Sequence, residues 1–463
     1  MLQAPNDHSL LNDAPMAKPG ENRQCNEAYP VDTSTELRAL FDLYATTGNS
    51  IEVSFRKMVP WLKVGERATH YLHPYPAKLL PHIAHFFLAS EALCSNEGTV
   101  LDPFGGTGTV ALETVLSGRI AAYSDTNPLA RAIAKTKVTP IDIEIIQPKI
   151  EALHTRFLRS RSKNPPNVIN IRKWYSDSII SQLSRLKAAI EGELDDDYRH
   201  FFLISFSATA RKVSIADPRL SVPVQQEFSP TELKEKEKVW ARFSEQLSNN
   251  ISRAKNFKNL LSSSPHIIDA GVDARSILRE LGGHLDENSV ELIITSPPYA
   301  GAQKYIRASS LSLGWLGFAG EGELKPLENK TIGREHLLKS VVDSAVKTSV
   351  PEANEVISRI RKINPARAAI CAVYLNEMEA SIIQMTRVLK AGGYAVIVIG
   401  NNHVCGEAFL SSEYISSIFN SLGLRTKLKL IDEIKSRGLM TKRNKTASMI
   451  TREWVLVFQK SFN

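Results

Sequence analysis

Residues 99–109 read Thr-Val-Leu-Asp-Pro-Phe-Gly-Gly-Thr-Gly-Thr, or TVLDPFGGTGT. Thr99, Val100 and Leu101 form a short run suited to a buried strand. Asp102 to Thr109 is a glycine-rich loop, and Val110 to Ser117 follows as a helix that Gly118 closes as a C-terminal cap. Further out, Ile120 to Ser124 is a second apolar run, ending at Asp125. Strand, loop, helix and strand in this succession predict a parallel sheet with crossover helices. Such sheets take ligands at the carboxyl ends of their strands, where glycine, lacking a Cβ, lets the backbone come close.

The residues around the loop restrict the ligand. No Gly-Lys-Ser/Thr follows, so this is not a phosphate-binding P-loop. The loop opens on Asp102, an acid ill-suited to a pyrophosphate but suited to the ammonium of an amino-acid-like cofactor. Asp125 comes about twenty residues after the loop, where an acid can accept hydrogen bonds from a ribose diol. A ligand with a ribose and a positive amine, and no need of a phosphate, meets both acids. S-adenosylmethionine fits that description.

A second decisive stretch is Val290 to Tyr299, VELIITSPPY. An apolar strand, Val290 to Thr295, runs into a loop end that Pro297 and Pro298 make rigid. An exocyclic base amine shares its lone pair with the ring and is a poor nucleophile. The side-chain oxygen of Ser296 and the carbonyl of Pro297 can accept the amino hydrogens and expose that lone pair. Tyr299 offers a ring face on which an extruded base can stack. Carbon-5 methylation of cytosine uses a thiolate in a Pro-Cys pair, and no cysteine here follows a proline.

Together these motifs resemble the amino-group DNA methyltransferases of the bacterial modification type. Asp102, Pro103, Phe104, Gly106, Gly108 and Thr109 match that family's D-P-F-x-G-x-G-T cofactor motif. Asp125 and Asn127, in Asp-Thr-Asn-Pro, resemble its acidic motif. Thr69 to Lys78 (THYLHPYPAK), with Tyr75 and Lys78, resembles a segment that lies near the methionine end of the cofactor in a bacterial subset. Asp273 and Ala274 resemble the short motif whose acid meets the adenine amine, although Asp273 reads equally well as a helix N-cap before Ser276 to Leu281. The resemblance implies an α/β, Rossmann-like S-adenosylmethionine-dependent sheet, with Ser296, Pro297, Pro298 and Tyr299 as catalytic residues. S-P-P-Y is more typical of cytosine-N4 enzymes and D-P-P-Y of adenine-N6 enzymes, so cytosine N4 in double-stranded DNA is favoured, with adenine N6 as the alternative. A restriction-modification or phage-defence role, with a cognate restriction endonuclease as partner, goes with that reading. An RNA amino-group methyltransferase and a non-catalytic DNA-binding protein with the same fold are further alternatives.

The chain has 463 residues, 43% hydrophobic and 23% charged, with a formal net charge of +8. Moderate basicity suits an acidic partner. The four cysteines contain no C-x-x-C pair, so no metal site is expected, and so few suggest a reducing compartment. No secretory signal or membrane span is read, which points to the cytoplasm. Residues 1–33 read as a tail, 34–140 and 265–463 as the catalytic domain, and 141–264 as a mainly helical insertion. Lys390 to Gly393 (KAGG) reads as a turn before the strand Tyr394 to Ile399. Candidate DNA-contacting cations are Arg211, Lys212 and Arg219 in the insertion, Arg307 after the SPPY loop, and Arg437, Lys442 and Arg443 near the end. The loop from Gly320 to Arg334 is a candidate cover for DNA or base.

Overall fold

The computed structural model describes residues 27–462 other than 77, 163–164, 278–284, 302–303, 345 and 434–450. Its strands are β1 (Ile51–Val53), β2 (Thr99–Asp102), β3 (Ile120–Tyr123), β4 (Ile267–Asp269), β5 (Val290–Thr295), β6 (Leu389–Ile399), β7 (Asn402–Val404), β8 (Glu407–Phe409), β9 (Leu424–Glu433) and β10 (Arg452–Lys460). One eight-stranded sheet has the order β1-β9-β10-β6-β5-β2-β3-β4, and β7 and β8 form a separate hairpin. β10 runs antiparallel to β6 and β9, and the other pairings in the sheet are parallel. Numbered as successive crossover strands, β2 to β6 stand in the order 3-2-1-4-5, which is Rossmann-like. The order reverses between β2 and β5. Those are the strands that carry the glycine loop and the SPPY loop.

Helices cover both faces of the sheet, so its central strands are apolar on both sides. Leu101, Ile293, Ala395 and Ile397 pack into one core, and Val100, Leu292, Ile294, Val396 and Val398 into the other. The period-two alternation of strand side chains divides them this way. The long helix Pro365–Val388 lies on the first face, and the helices Ser34–Thr47, Pro81–Leu88 and Thr109–Leu116 lie on the second.

Residues 141–264 contain the helices Ile146–Arg159, Asp177–Glu191, Asp196–Val213, Pro230–Lys236 and Val239–Leu260. All but Pro230–Lys236 share a hydrophobic core with Leu72, with Leu129 and Ile133 beside the second crossover, and with Leu311, Leu313 and Trp315 after the SPPY loop. Polar links reinforce this docking. His73 Nε2 lies 3.0 Å from Ser207 Oγ, Asn250 Nδ2 donates to the Leu72 carbonyl at 3.2 Å, and the Ala68 amide donates to Asn256 Oδ1 at 2.6 Å. The insertion therefore braces the segment before the glycine loop and the helix after the SPPY loop at once.

Two expectations are corrected. The tail does not run to Thr33. Ala28 and Tyr29 are buried in the core, and Thr33 Oγ1 donates to the Phe86 carbonyl at 2.6 Å. Lys390 to Gly393 is no turn but the first part of β6. Gly392 adopts φ +76°, and the β5–β6 register shifts between Val290 and Leu292, so the chain keeps its direction through a local irregularity. Among the described residues no helix is long and apolar enough to cross a membrane.

Candidate active site

The glycine loop leaves the carboxyl end of β2. Gly106 adopts φ +50°, and a Cβ there would meet no atom closer than 4.0 Å, so this stretch of backbone faces open space. Gly108, at φ +74°, is used differently. A Cβ there would stand 2.8 Å from that of Ala134, so its bareness lets the helix Thr109–Leu116 pack against the helix Pro128–Val138. Thr109 is buried as the first residue of that helix, and Phe104 is half-buried against the core. Pro103 gives its carbonyl to Ser124 Oγ at 2.8 Å, tying the loop to the end of β3.

Both expected acids reach this loop. Asp125 Oδ2 accepts from the Gly106 amide at 2.9 Å, and its Oδ1 from the Asn127 amide at 2.7 Å. Each oxygen keeps a further lone pair for a diol. Asn127 caps the helix Pro128–Val138 and also donates to Tyr75 Oη at 2.9 Å and Ser309 Oγ at 3.2 Å. Tyr75 thus joins the residues that follow β3, beside Asp125, whereas the resemblance set its segment near the methionine end of the cofactor. Lys78 donates to the His73 carbonyl at 2.9 Å. Asp102 is buried, and its Oδ1 accepts from the Phe104 amide at 3.1 Å and from Thr295 Oγ1 at 2.5 Å. Its Oδ2 accepts nothing from a described residue. Burial pushes Asp102 up to about 7, against the lowering effect of its two donors, and pushes Asp125 up to about 6. Neither acid is paired with a cation at hydrogen-bonding distance among the described residues, so each could receive a polar or cationic ligand.

Thr295 is the last residue of β5, so its bond to Asp102 joins the glycine loop to the SPPY loop across the strand-order reversal. Ser296 is half-buried, and its hydroxyl has no hydrogen-bond partner among the described residues. The Pro297 carbonyl likewise accepts no hydrogen bond from a described residue. Two acceptors, adjacent in the chain, are thus left unengaged by the described residues. Pro298 flanks Gly333, whose φ of +75° and missing side chain let residues 331–335 lie against the Tyr299 carbonyl. Tyr299 is 8% exposed and donates from its hydroxyl to Glu453 Oε1 at 2.8 Å, which fixes the ring by its far edge.

Other candidates fare differently. Asp273 is chelated by Arg275 at 2.7 Å, and its Oδ1 accepts from the Arg275 amide at 3.0 Å. It closes a tight turn with Ala274 buried inside, while residues 278–284, where its helix would continue, lie outside the described residues. Arg211 donates to the carbonyls of Asp217 and Leu220, Lys212 pairs with Glu245 at 2.9 Å, and Arg219 pairs with Asp217 at 2.8 Å. Those three cations are engaged within the insertion itself. Arg307 is exposed and has no ion pair among the described residues. Arg437, Lys442 and Arg443 lie outside the described residues. Thr295, Ser309 and Glu453 do not stand out in the sequence. Thr295 alone carries a local signal, as the polar end of an apolar strand.

No family model matches the chain. Solved methyltransferase structures are similar to it at low overall likeness. An S-adenosylmethionine-dependent methyltransferase from Methanosarcina mazei is 10% identical, covering 84% of this chain and 100% of that one, with a TM-score of 0.32. A candidate DNA modification methylase from Thermus thermophilus, in complex with S-adenosylmethionine, is 19% identical over 38% of this chain and 47% of that one, with a TM-score of 0.19. Among curated proteins, the chain is similar to the Type II methyltransferase M.MvaI of Kocuria varians. The two are 24% identical over 426 residues, 85% of this chain and 92% of the relative.

Proposed function

We propose that the chain is an S-adenosylmethionine-dependent DNA methyltransferase acting on an exocyclic base amine, with cytosine N4 as the favoured target and adenine N6 as the alternative. The observation that supports this reading is the 2.5 Å bond from Thr295 to Asp102, which ties the glycine loop to the strand end that carries the SPPY loop. The residues fit the cofactor. The unengaged oxygen of Asp102 suits its ammonium, the remaining lone pairs of Asp125 suit its ribose, and the open backbone at Gly106 leaves room for it. When bound, the cofactor supplies an electrophilic methyl group on a sulfonium.

The chain's own residues do the rest. Ser296 Oγ and the Pro297 carbonyl accept the two amino hydrogens and localise the nitrogen lone pair. Tyr299, held through Glu453, gives the extruded base a fixed ring to stack on, worth about 1–3 kcal/mol. Catalysis is then chiefly alignment of the amine with the methyl group. The segment around Asp273 serves the adenine end, and Arg307 contributes to phosphate binding beside the cleft. A restriction-modification role with a paired endonuclease, in the cytoplasm, belongs to the same reading, which draws on the similarity to a Type II methyltransferase.

The test is incubation with tritiated S-adenosylmethionine and mixed genomic DNA, followed by methylation-aware sequencing of DNA from cells expressing the chain. Label in DNA, and a modified cytosine in a fixed context, is expected. No transfer to DNA while the cofactor binds would overturn the assignment. A modified adenine would replace the favoured target by its alternative.

A further inference from the structure

The helix Pro365–Val388 runs past the SPPY loop and meets its surroundings at two points. Near its start, a Cβ on Gly301 would lie 3.5 Å from Ile370 Cγ2 and 3.6 Å from Arg367 Nη1. Both side chains therefore lie against the backbone just beyond Tyr299 and Ala300. Further along the helix, Glu377 Oε1 accepts from Arg334 Nη1 at 2.7 Å, and the neighbouring Gly333 abuts the Tyr299 carbonyl.

The cations around the loop differ in what they meet. Arg334 and Arg275 share Glu377, Arg275 also holds Asp273, and Lys304 pairs with Glu335 at 3.3 Å. Arg367 is half-buried, and its guanidinium has neither an ion pair nor a hydrogen bond among the described residues. Stability does not explain a cation there. Partial burial strips water from a group whose N–H donors then need acceptors. Arg367 also lies in the first turn of its helix, where the helix dipole opposes a positive charge. An anion brought by the substrate would offset both costs. A base that leaves the duplex turns about its backbone, so its flanking phosphates move with it. A guanidinium matches a phosphate by a fork of two parallel hydrogen bonds. We propose that Arg367 binds a phosphate flanking the extruded nucleotide and holds that nucleotide out of the stack while Ser296, Pro297 and Tyr299 handle the base. This rests on the reading of the crevice as a base-amine methyltransferase site. It differs from the role of Arg307, which is exposed and suits the phosphates of the stacked duplex.

The test uses the full chain and a duplex of the sequence that it methylates, with a fluorescent base analogue at the target position to report extrusion. The unaltered protein, Arg367→Ala and Arg367→Lys are titrated with this duplex and with two others, each carrying an uncharged methylphosphonate on one side of the target nucleotide. Arg367→Ala is expected to bind the natural duplex about tenfold more weakly, the scale of a hydrogen bond to a charged group, and to lose most of the fluorescence gain. Arg367→Lys recovers part of both, and calorimetry shows S-adenosylmethionine binding unchanged in each variant. One of the two methylphosphonates weakens the unaltered protein by about the same factor and has no further effect on Arg367→Ala. Undiminished extrusion in Arg367→Ala would overturn the proposal, as would equal weakening of both proteins by each methylphosphonate. Loss of cofactor binding in Arg367→Ala would make the side chain a structural brace and overturn it too. Failure of the unaltered protein to methylate any DNA would instead overturn the reading of the crevice.

Discussion

Two buried acids, Asp102 and Glu113, lie eleven positions apart and meet opposite fates. Glu113, inside the helix Thr109–Leu116, accepts from Arg67 Nε at 2.8 Å and Arg67 Nη2 at 2.9 Å, and from Tyr29 Oη at 2.8 Å. Ring nitrogens of His70 and His85 lie 2.7 and 3.3 Å from its oxygens. Burial alone would raise its pKa, but Arg67 and the two histidines hold it well below the usual carboxylate range. Asp102 has only neutral donors and rises to about 7. An acid whose charge the protein neutralises is part of the frame, while one buried without a cation among the described residues can still take a ligand's charge. Glu113 ties residues 29, 67, 70 and 85 to the helix that the glycine loop opens, so the frame holds the loop in place.

The largest effect that can break this contrast is on stability. Glu113→Gln leaves the Arg67 guanidinium buried without its anion and is expected to cost about 3–5 kcal/mol, read from denaturant unfolding. Asp102→Asn should leave the unfolding midpoint unchanged or raise it, because it removes a carboxylate that folding desolvates. If the two substitutions destabilise equally, the distinction between frame and site fails.

Cofactor binding should show the reverse. Asp102→Asn removes a charge-assisted contact to the ammonium and is expected to weaken S-adenosylmethionine by about 1.5–3 kcal/mol, or roughly 10- to 100-fold, in calorimetry. Next in size is a pH effect. Below about pH 7 Asp102 holds a proton that must leave before the ammonium can bind. Affinity should therefore rise with pH, by at most about tenfold per unit, and level off above that value, with the slope lost in Asp102→Asn. The two acids also act oppositely on stability. The raised pKa of Asp102 makes its contribution fullest below the unfolded value near 4 and lost as pH rises through about 7. The depressed pKa of Glu113 makes its contribution present above the unfolded value and lost as pH falls.

The smallest expected effect concerns the insertion. Arg219 and Lys212 already have internal partners in Asp217 and Glu245. Replacing both by alanine should leave the salt dependence of DNA binding unchanged in a titration, whereas Arg307→Ala should lower its slope by about one. A lowered slope for the insertion variant would show that the internal pairs open on DNA.

Much of the site is legible in sequence because its parts are local. TVLDPFGGTGT and VELIITSPPY each carry a strand, its end and the loop beyond in about ten residues, so residue type and position at the strand end come together. β9 carries the alternation of a half-buried strand, Leu428 and Leu430 against Lys427 and Lys429, but its place beside β1 and β10 rests on pairing with segments far away in the chain. KAGG reads as a turn because glycines signal one, while the sheet context keeps the chain extended.

The linear order of residues by itself determined which ends of which strands carry acids, acceptors and glycines, since backbone geometry and hydrophobic periodicity act over a few neighbours. Only the tertiary structure decided that Thr295 binds Asp102, that Glu453 holds Tyr299 and that Arg367 stands against Gly301 with no anion beside it among the described residues. It also decided that Arg211, Lys212 and Arg219 are already engaged within the insertion. Charge is written in the sequence, but its partners are set by packing that brings distant segments together and excludes water from between them.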